Sequence, residues 1–393
     1  MSRLPRQARL FGVVSLFNDL ASEMVYPLLP AFLTGVLGAG PVALGALDGA
    51  ADLAAAGVKL GAGRLADRPR ARGPLVIAGY ALAVLVRPLI ALTGAVWQVI
   101  GLRVTDRIGK GVRTPPRDAI IADATPPALR GRAFGLQRGL DHLGAVIGPL
   151  VAWWLLTRGG FDVPGVIAAS VVPGVLVLGL AVWAVKDGRG RLRSVEVGSP
   201  APASPAASRR VPIAVLVIAA FHLLRFPETL LILRAQDLGV SVAAVTLLWA
   251  ALHVVRSAAS FVGGELTDRW GAAATLRLGW LSYAVLAGGF ALARDATAAW
   301  AAFLALGVVA GLTEGPERAL VSKLAGARTG SGFGVYHAVT GVAALAGSIA
   351  LGVIYGRAGG AAALGWSAAG AVALVVGAGV ASRRLVRADT NPT

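Results

Sequence analysis

Apolar residues in this chain come in long runs rather than in the short alternations of a half-buried strand. Runs of about 20 residues are the length that crosses a bilayer core as a helix. Twelve windows of this kind can be drawn, at 9–33, 41–63, 73–93, 95–122, 132–156, 163–185, 211–234, 241–265, 272–293, 297–322, 331–355 and 360–382. Most breaks between them are short and rich in turn formers, as in "GAGP" (38–41) and "RPRARG" (68–73). The pattern predicts an all-α membrane protein with twelve transmembrane helices. The stretch "KDGRGRLRSVEVGSPAPASPAASRR" (186–210) departs from it: it has no apolar period and reads as a flexible linker. The chain then divides into an N-terminal six-helix bundle (1–185), a cytosolic linker (186–210), and a C-terminal six-helix bundle with a short cytosolic tail (211–393).

Charge changes this picture in one respect. A formal net charge of +17 first suggests a nucleic-acid partner. The basic residues, however, gather in the N-terminus, the linker and alternate loops. The opposite loops hold only Arg158, Arg234, Arg294 and Arg357 against Asp162, Asp237 and Asp295. This is the positive-inside asymmetry, which places both termini in the cytosol and removes nucleic acid as a partner. The first apolar run is long and has no small-residue cleavage site, so no cleaved signal peptide is expected. There is no Cys, and the histidines at 142, 222, 253 and 337 lack zinc-ligand spacing, so neither metal nor cofactor is expected. No phosphate loop, H-E-x-x-H or ordered Ser-His-Asp set argues for an enzyme.

The two halves resemble each other at an offset of about 200. "GRLADR" (63–68) matches "GELTDR" (264–269), Pro116-Arg117 matches Pro316-Glu317-Arg318, and "AFG" (133–135) matches "GFG" (332–334). "LG" recurs at 37–38 and 238–239. Repeats of this kind place a substrate site at the interface between them.

Charges inside the spans are the candidate chemistry, because an ionisable group at membrane depth is costly unless it lines a cavity or is paired. In the fourth window "RVTDRIGKGVRTPPRD" puts Arg103, Asp106, Arg107, Lys110, Arg113, Arg117 and Asp118 in an arc of roughly 140° at helical period. Val104, Ile108, Val112 and Ala119 face the other way, and Pro115-Pro116 should bend the helix. On the first helix Ser15, Asp19, Glu23 and Tyr26 form one stripe; on the second, Asp48 and Asp52 are one turn apart, with Lys59 beyond. Asp19 and Glu23 are expected to reach the depth of Arg103 and to exchange a proton there, burial favouring the neutral carboxyl and a guanidinium the ionised one. Permanent salt bridges that never titrate are the competing reading. In the second half "FHLLRFPETL" carries His222, Arg225 and Glu228 around a helix-breaking Pro227, followed by His253 and Arg256 on the eighth helix and Glu314, Glu317 and Arg318 on the tenth.

"GRLADRPRAR" (63–72), with its second copy, resembles motif A of the major facilitator superfamily, although Arg70 stands where that family has Gly and the later basic residue is displaced to Arg72. "RVTDRIGKG" (103–111) resembles motif B, with Arg103 at the membrane-buried arginine. Gly135, Gly144, Gly148 and Pro149 fit G-x8-G-x3-G-P and resemble motif C of drug:proton antiporters, with Ala152-Trp153 in place of the closing Gly pair. The resemblance covers the whole chain and implies the twelve-helix fold in two pseudosymmetric bundles. It further implies alternating access, a monomer in a bacterial inner membrane, and proton-coupled efflux of a small organic solute. Gly63, Asp67, Arg68 and Asp123 would form a gate, with Gly264, Asp268 and Arg269 as its counterpart. An importer or exporter of an anionic metabolite, siderophore or lipid-like molecule is the alternative within transport, and a non-transporting receptor or scaffold the alternative outside it.

Overall fold

The computed structural model describes residues 4–66, 68–126, 129–188, 207–325 and 329–389, and these contain helices and turns but no strand. α1 is Arg6–Val25, continued to Val36 by tight and widened turns in which Pro27 and Pro30 withhold a backbone donor. α2 is Pro41–Ala66, α3 Pro69–Leu89, α4 Val96–Ala124 and α5 Arg130–Thr157. α6 comprises Val163–Ala169 and Val171–Gly188. α7 runs Ala207–Leu224 and resumes as Glu228–Asp237; α8 is Val242–Trp270, α9 Ala272–Leu292 and α10 Ala296–Ala325. The run Thr329–Asp389 is two helices joined at Gly359, where φ is +84°: residues 329–358 are α11 and 360–389 are α12. Of the expected linker, 189–206 lie outside the described residues, while α6 and α7 extend into its two ends.

Nine stretches among the described residues are long and apolar enough to cross a membrane, and one of these, Gly334–Gly377, holds parts of both α11 and α12. α1 and α4 are not among the nine. Their polar positions explain why: charges interrupt the apolar run of each, and those in mid-span, Asp19 and Glu23 on α1 and Arg103, Asp106 and Arg107 on α4, face inward.

Packing repeats between the halves. α1 lies on α5, α2 on α4 and α3 on α4; in the second half α7 lies on α11, α8 on α10 and α9 on α10. The glycines set the spacing. A Cβ on Gly148 would stand 2.5 Å from the Leu20 carbonyl oxygen and 3.1 Å from the Met24 nitrogen, so α5 and α1 meet backbone to backbone. Gly144 meets Leu16 in the same way, and Gly347 of α11 meets the Leu223 carbonyl of α7 as Gly148 meets that of Leu20 in the first half. Gly135 has nothing within 4 Å, so only part of the expected glycine motif serves packing. Pro149 lies within an unbroken α5, and α4 likewise continues through Pro115 and Pro116.

α7 does break where expected. The freed backbone is re-satisfied by side chains: the Phe226 amide donates to the Tyr283 hydroxyl at 2.7 Å and the Ser367 hydroxyl to the Leu224 carbonyl at 2.6 Å.

The bundles meet along α2 with α11 and α5 with α8. We call the side holding the start of α1 the terminal face and its opposite the far face. Contact is tight toward the far face: Gly45 and Gly49 of α2 meet the backbone of Ser348 and Leu345, and Gly352 meets Pro41 and Val42. Toward the terminal face Gly57 and Gly61 have nothing within 4 Å. The interface is closed at the far face and parts toward the terminal face.

Candidate functional site

A cavity of about 480 Å³ lies in this interface. That is within the size range of pockets for drug-sized ligands. Asp19, Glu23, Tyr26, Asp48 and Asp52 of the first two helices line it, with Arg103, Arg107 and Lys110 of α4. His222, Arg225 and Glu228 flank the α7 break, and His253 and Arg256 come from α8. The wall also holds Arg138, Asp141 and His142 of α5, Trp249 of α8, Glu314, Glu317 and Arg318 of α10, and Tyr336 of α11.

Its far end is stitched across the bundles. The Tyr26 hydroxyl donates to Asp48 Oδ1 at 2.9 Å. Asp48 Oδ2 accepts from the Thr229 amide at 3.1 Å and hydroxyl at 2.8 Å. Glu23 Oε2 accepts from the Trp249 indole at 2.8 Å and lies 3.7 Å from His253 Nε2. Two carboxylates of the first half are thus held by the second half at the depth where the cavity ends.

The second half has its own networks. Arg256 pairs with Glu314 and, at 3.3 Å, with Glu228, which Arg225 approaches at 3.8 Å. Glu317, only 3% exposed, accepts from the Tyr336 hydroxyl at 2.8 Å and lies 3.1 Å from His222 Nε2.

Three expectations are corrected. Asp106 does not line the cavity: it is 2% exposed and takes Arg87 at 2.9 Å and Arg103 at 3.4 Å. Arg87 and Arg113 also bond Asn18 Oδ1, both at 3.2 Å, so this part of the charged arc holds α1, α3 and α4 together. The reason is geometric: a 140° arc is wider than one neighbour, so α4 shows its charges both to the cavity and to the bundle interior. Second, Arg103 engages neither Asp19 nor Glu23; its ion partner is Asp106, and its guanidinium covers the Tyr26 ring at 4.5 Å. Asp19 instead accepts from Asn18 Nδ2 at 2.9 Å. Third, the gate partners differ. Asp123 pairs with Arg72, whose Nε donates to the Ala66 carbonyl at 2.6 Å, while Arg68 is exposed. Asp67 lies outside the described residues, and Gly63 sits on α2. In the second copy Gly264, Asp268 and Arg269 are exposed, and Arg269 pairs with Glu265 of its own helix at 2.5 Å.

Arg87 went unread in the sequence although a lone arginine beside Pro88 in an apolar span demands a partner. Arg138, Asp141 and His142 share the helix of the glycine motif, and their i, i+3, i+4 spacing was the available signal.

Residues 11–348 match the family described as Major Facilitator Superfamily. An uncharacterised protein of Mycobacterium tuberculosis is 31% identical over 365 residues, covering 89% of this chain and 87% of the relative. An uncharacterised MFS-type transporter of Methanocaldococcus jannaschii is 27% identical over 90% of this chain and 89% of its own. The multidrug resistance protein MdtH of Proteus mirabilis is 34% identical over 39% of each chain. Among solved structures, a POT family transporter in complex with a thioalcohol-conjugated peptide superposes with a TM-score of 0.77 at 13% identity, covering 97% of this chain and 96% of that one. Twelve helices among the described residues, in two repeated bundles, a mixed-charge cavity between them and a match spanning most of the chain place this protein in the major facilitator superfamily of secondary transporters.

Proposed function

We propose that the protein is a proton-coupled exporter of a small organic solute that works by alternating access. The positive-inside asymmetry makes the terminal face cytosolic, with both termini there, and the resemblance in sequence favours a monomer in a bacterial inner membrane. The cavity is then open to the cytosol, the loading side for an exporter. The observation that carries the reading is that Glu23 and Asp48, carboxylates of the first half, are bonded by the second half where the cavity closes. Moving the bundles apart at the far face breaks those bonds and changes the surroundings of both carboxylates. A proton can compensate the carboxylates when those partners leave. The partial similarity to a multidrug resistance protein supports the export direction.

Purified protein in proteoliposomes tests this. An imposed pH gradient should drive accumulation of substrate, and collapse of the gradient should stop it while leaving counterflow. Accumulation that ignores the gradient rejects coupling; accumulation only toward the face bearing the termini rejects export.

The gate is proposed to run through Arg72 and Asp123 rather than Arg68. Arg72→Gln should lower turnover several-fold and raise labelling of a single cysteine at the terminal mouth, whereas Arg68→Gln should do neither. Breaking a shielded ion pair costs more than removing an exposed charge. Equal effects of the two variants would remove Arg72 from the gate.

A further inference from the structure

The unpaired charges of the cavity identify the class of solute, on the reading that the cavity is a transport site. Most carboxylates in it are already engaged. Glu23 is held by Trp249, Asp48 by Tyr26 and Thr229, Glu228 and Glu314 by Arg256, and Glu317 by Tyr336 and His222. Asp19 is bonded to the neutral Asn18, Asp141 lies 3.7 Å from Arg138 of its own helix, and Asp52 has no ion partner among the described residues.

The cations of the opposite wall are less well matched. Asp106 is a single buried carboxylate serving two guanidiniums, Arg87 at 2.9 Å and Arg103 at 3.4 Å. Arg113, 2% exposed, bonds oxygens of Gly79 and Asn18, both at 3.2 Å, and covers the Tyr80 ring at 4.7 Å, with no carboxylate in ion-pair reach among the described residues. Arg103 is itself 4% exposed, lines the cavity, and leaves its Nε without a partner. Arg107 Nε is also buried and unpartnered, and neither Arg107 nor Lys110 has a carboxylate within ion-pair reach among the described residues. Lys110 stands one turn further toward the terminal face, exposed to the open part of the cavity. Even with Asp19 and Asp52 set against them, the cations of this wall are in excess. A desolvated cation without a counter-charge is costly, and the cost is removed when a ligand brings the charge.

The far end adjoining this wall is aromatic. Tyr26 and Trp249 have ring centroids 5.1 Å apart, and Trp249 meets His253 edge-on at 5.3 Å. We infer that the solute is an organic anion, a carboxylate or phosphate monoester on a small, partly apolar body. Its charged end docks on Arg107 and Lys110, and its body lies toward Tyr26 and Trp249. Two adjacent donors of different shape suit either anion, since a guanidinium binds oxygens in pairs and an ammonium binds as a point charge.

The test is equilibrium binding to the purified full-length protein in detergent, with no gradient. Its failure would therefore leave proton coupling and export direction untouched, and their failure would leave it untouched. The probes are butyl, phenylpropyl and octyl bodies, each carrying a carboxylate, a phosphate monoester, an ammonium or a hydroxyl. For at least one body the anionic members should bind at least about tenfold tighter than the ammonium and hydroxyl members. Arg107→Gln and Lys110→Gln should each weaken the anion by about tenfold or more and leave the hydroxyl member unchanged. Arg107→Lys should recover most of the loss, which separates lost charge from lost fold. The ratio of carboxylate to phosphate affinity assigns the anion. Tighter binding of the ammonium members, anions no tighter than their hydroxyl analogues, or anion binding unaltered in both Gln variants would each overturn the inference.

Discussion

Glu23→Gln should abolish gradient-driven transport and leave counterflow running. Glutamine keeps an oxygen for the Trp249 indole, which donates to Glu23 at 2.8 Å, so the far-face seal retains a bond. What it removes is the charge facing His253 at 3.7 Å and the capacity to take a proton when the bundles separate. A carrier that cannot titrate can exchange solute down its own gradient but cannot concentrate it. The loss in pH-driven accumulation should reach at least about a hundredfold, because the variant has no carboxylate at this position to take up the coupled proton. Asp19→Asn should have a smaller effect if Glu23 is the carrier, because Asp19 does not touch the second bundle. Paired measurements of active accumulation and counterflow on both variants decide. Full accumulation in both variants would move the coupling to Asp48 and Asp52.

Gly45→Val and Gly148→Val should fail in different ways, although each places a Cβ against a facing backbone. Gly148 packs α5 on α1 inside one bundle, where the Cβ would lie 2.5 Å from the Leu20 carbonyl oxygen. Neither helix can retreat without spoiling the bundle, so this variant should lose roughly 1–3 kcal/mol of stability or fail to fold. Gly45 packs α2 on α11 between the bundles, where the Cβ would overlap the Ser348 carbonyl. Here the bundles can separate. Gly45→Val should keep its thermal transition near that of the parent and open the far face. The chain has no cysteine, so Ala145→Cys in the cavity gives a clean reporter. An impermeant maleimide applied from the far face should label it much faster in the Gly45→Val background than in the parent. Equal destabilisation by both substitutions would mean that the bundle interface is as rigid as a bundle core.

How much of this was legible in the sequence follows from which forces are local. Helix positions are largely local: a run of apolar residues has to span, and Pro227 marks the break in α7, although Pro115, Pro116 and Pro149 pass through unbroken helices. The repeat was legible for the same reason, because Gly148 and Gly347 answer the same backbone approach in each half. Charges in the cavity could be found because an ionisable residue in an apolar span has few places to go. Their partners could not. Whether Asp106 faces the cavity or the interior depends on the roll of α4 against α1 and α3, which no spacing within α4 encodes. The same holds for Asp123: its partner Arg72 stands in the same run as Arg68, and only the packing of α3 on α4 selects between them. Glu23 could be picked out on α1, but Trp249 sits 226 positions away on the other bundle, and nothing in either helix names the other.

The central claim is that solute and proton cross in opposite directions, coupled through the cavity between the bundles. The direct test loads proteoliposomes with a pH-sensitive dye and adds, one at a time, the butyl, phenylpropyl and octyl carboxylates and phosphate monoesters to one side. With the parent protein, at least one of these gradients should drive a proton flux well above that of protein-free vesicles, and Glu23→Gln should remove that flux while the solute itself still exchanges. Solute crossing without proton movement in the parent, or proton movement unchanged in Glu23→Gln, Asp19→Asn and Asp48→Asn alike, would contradict it.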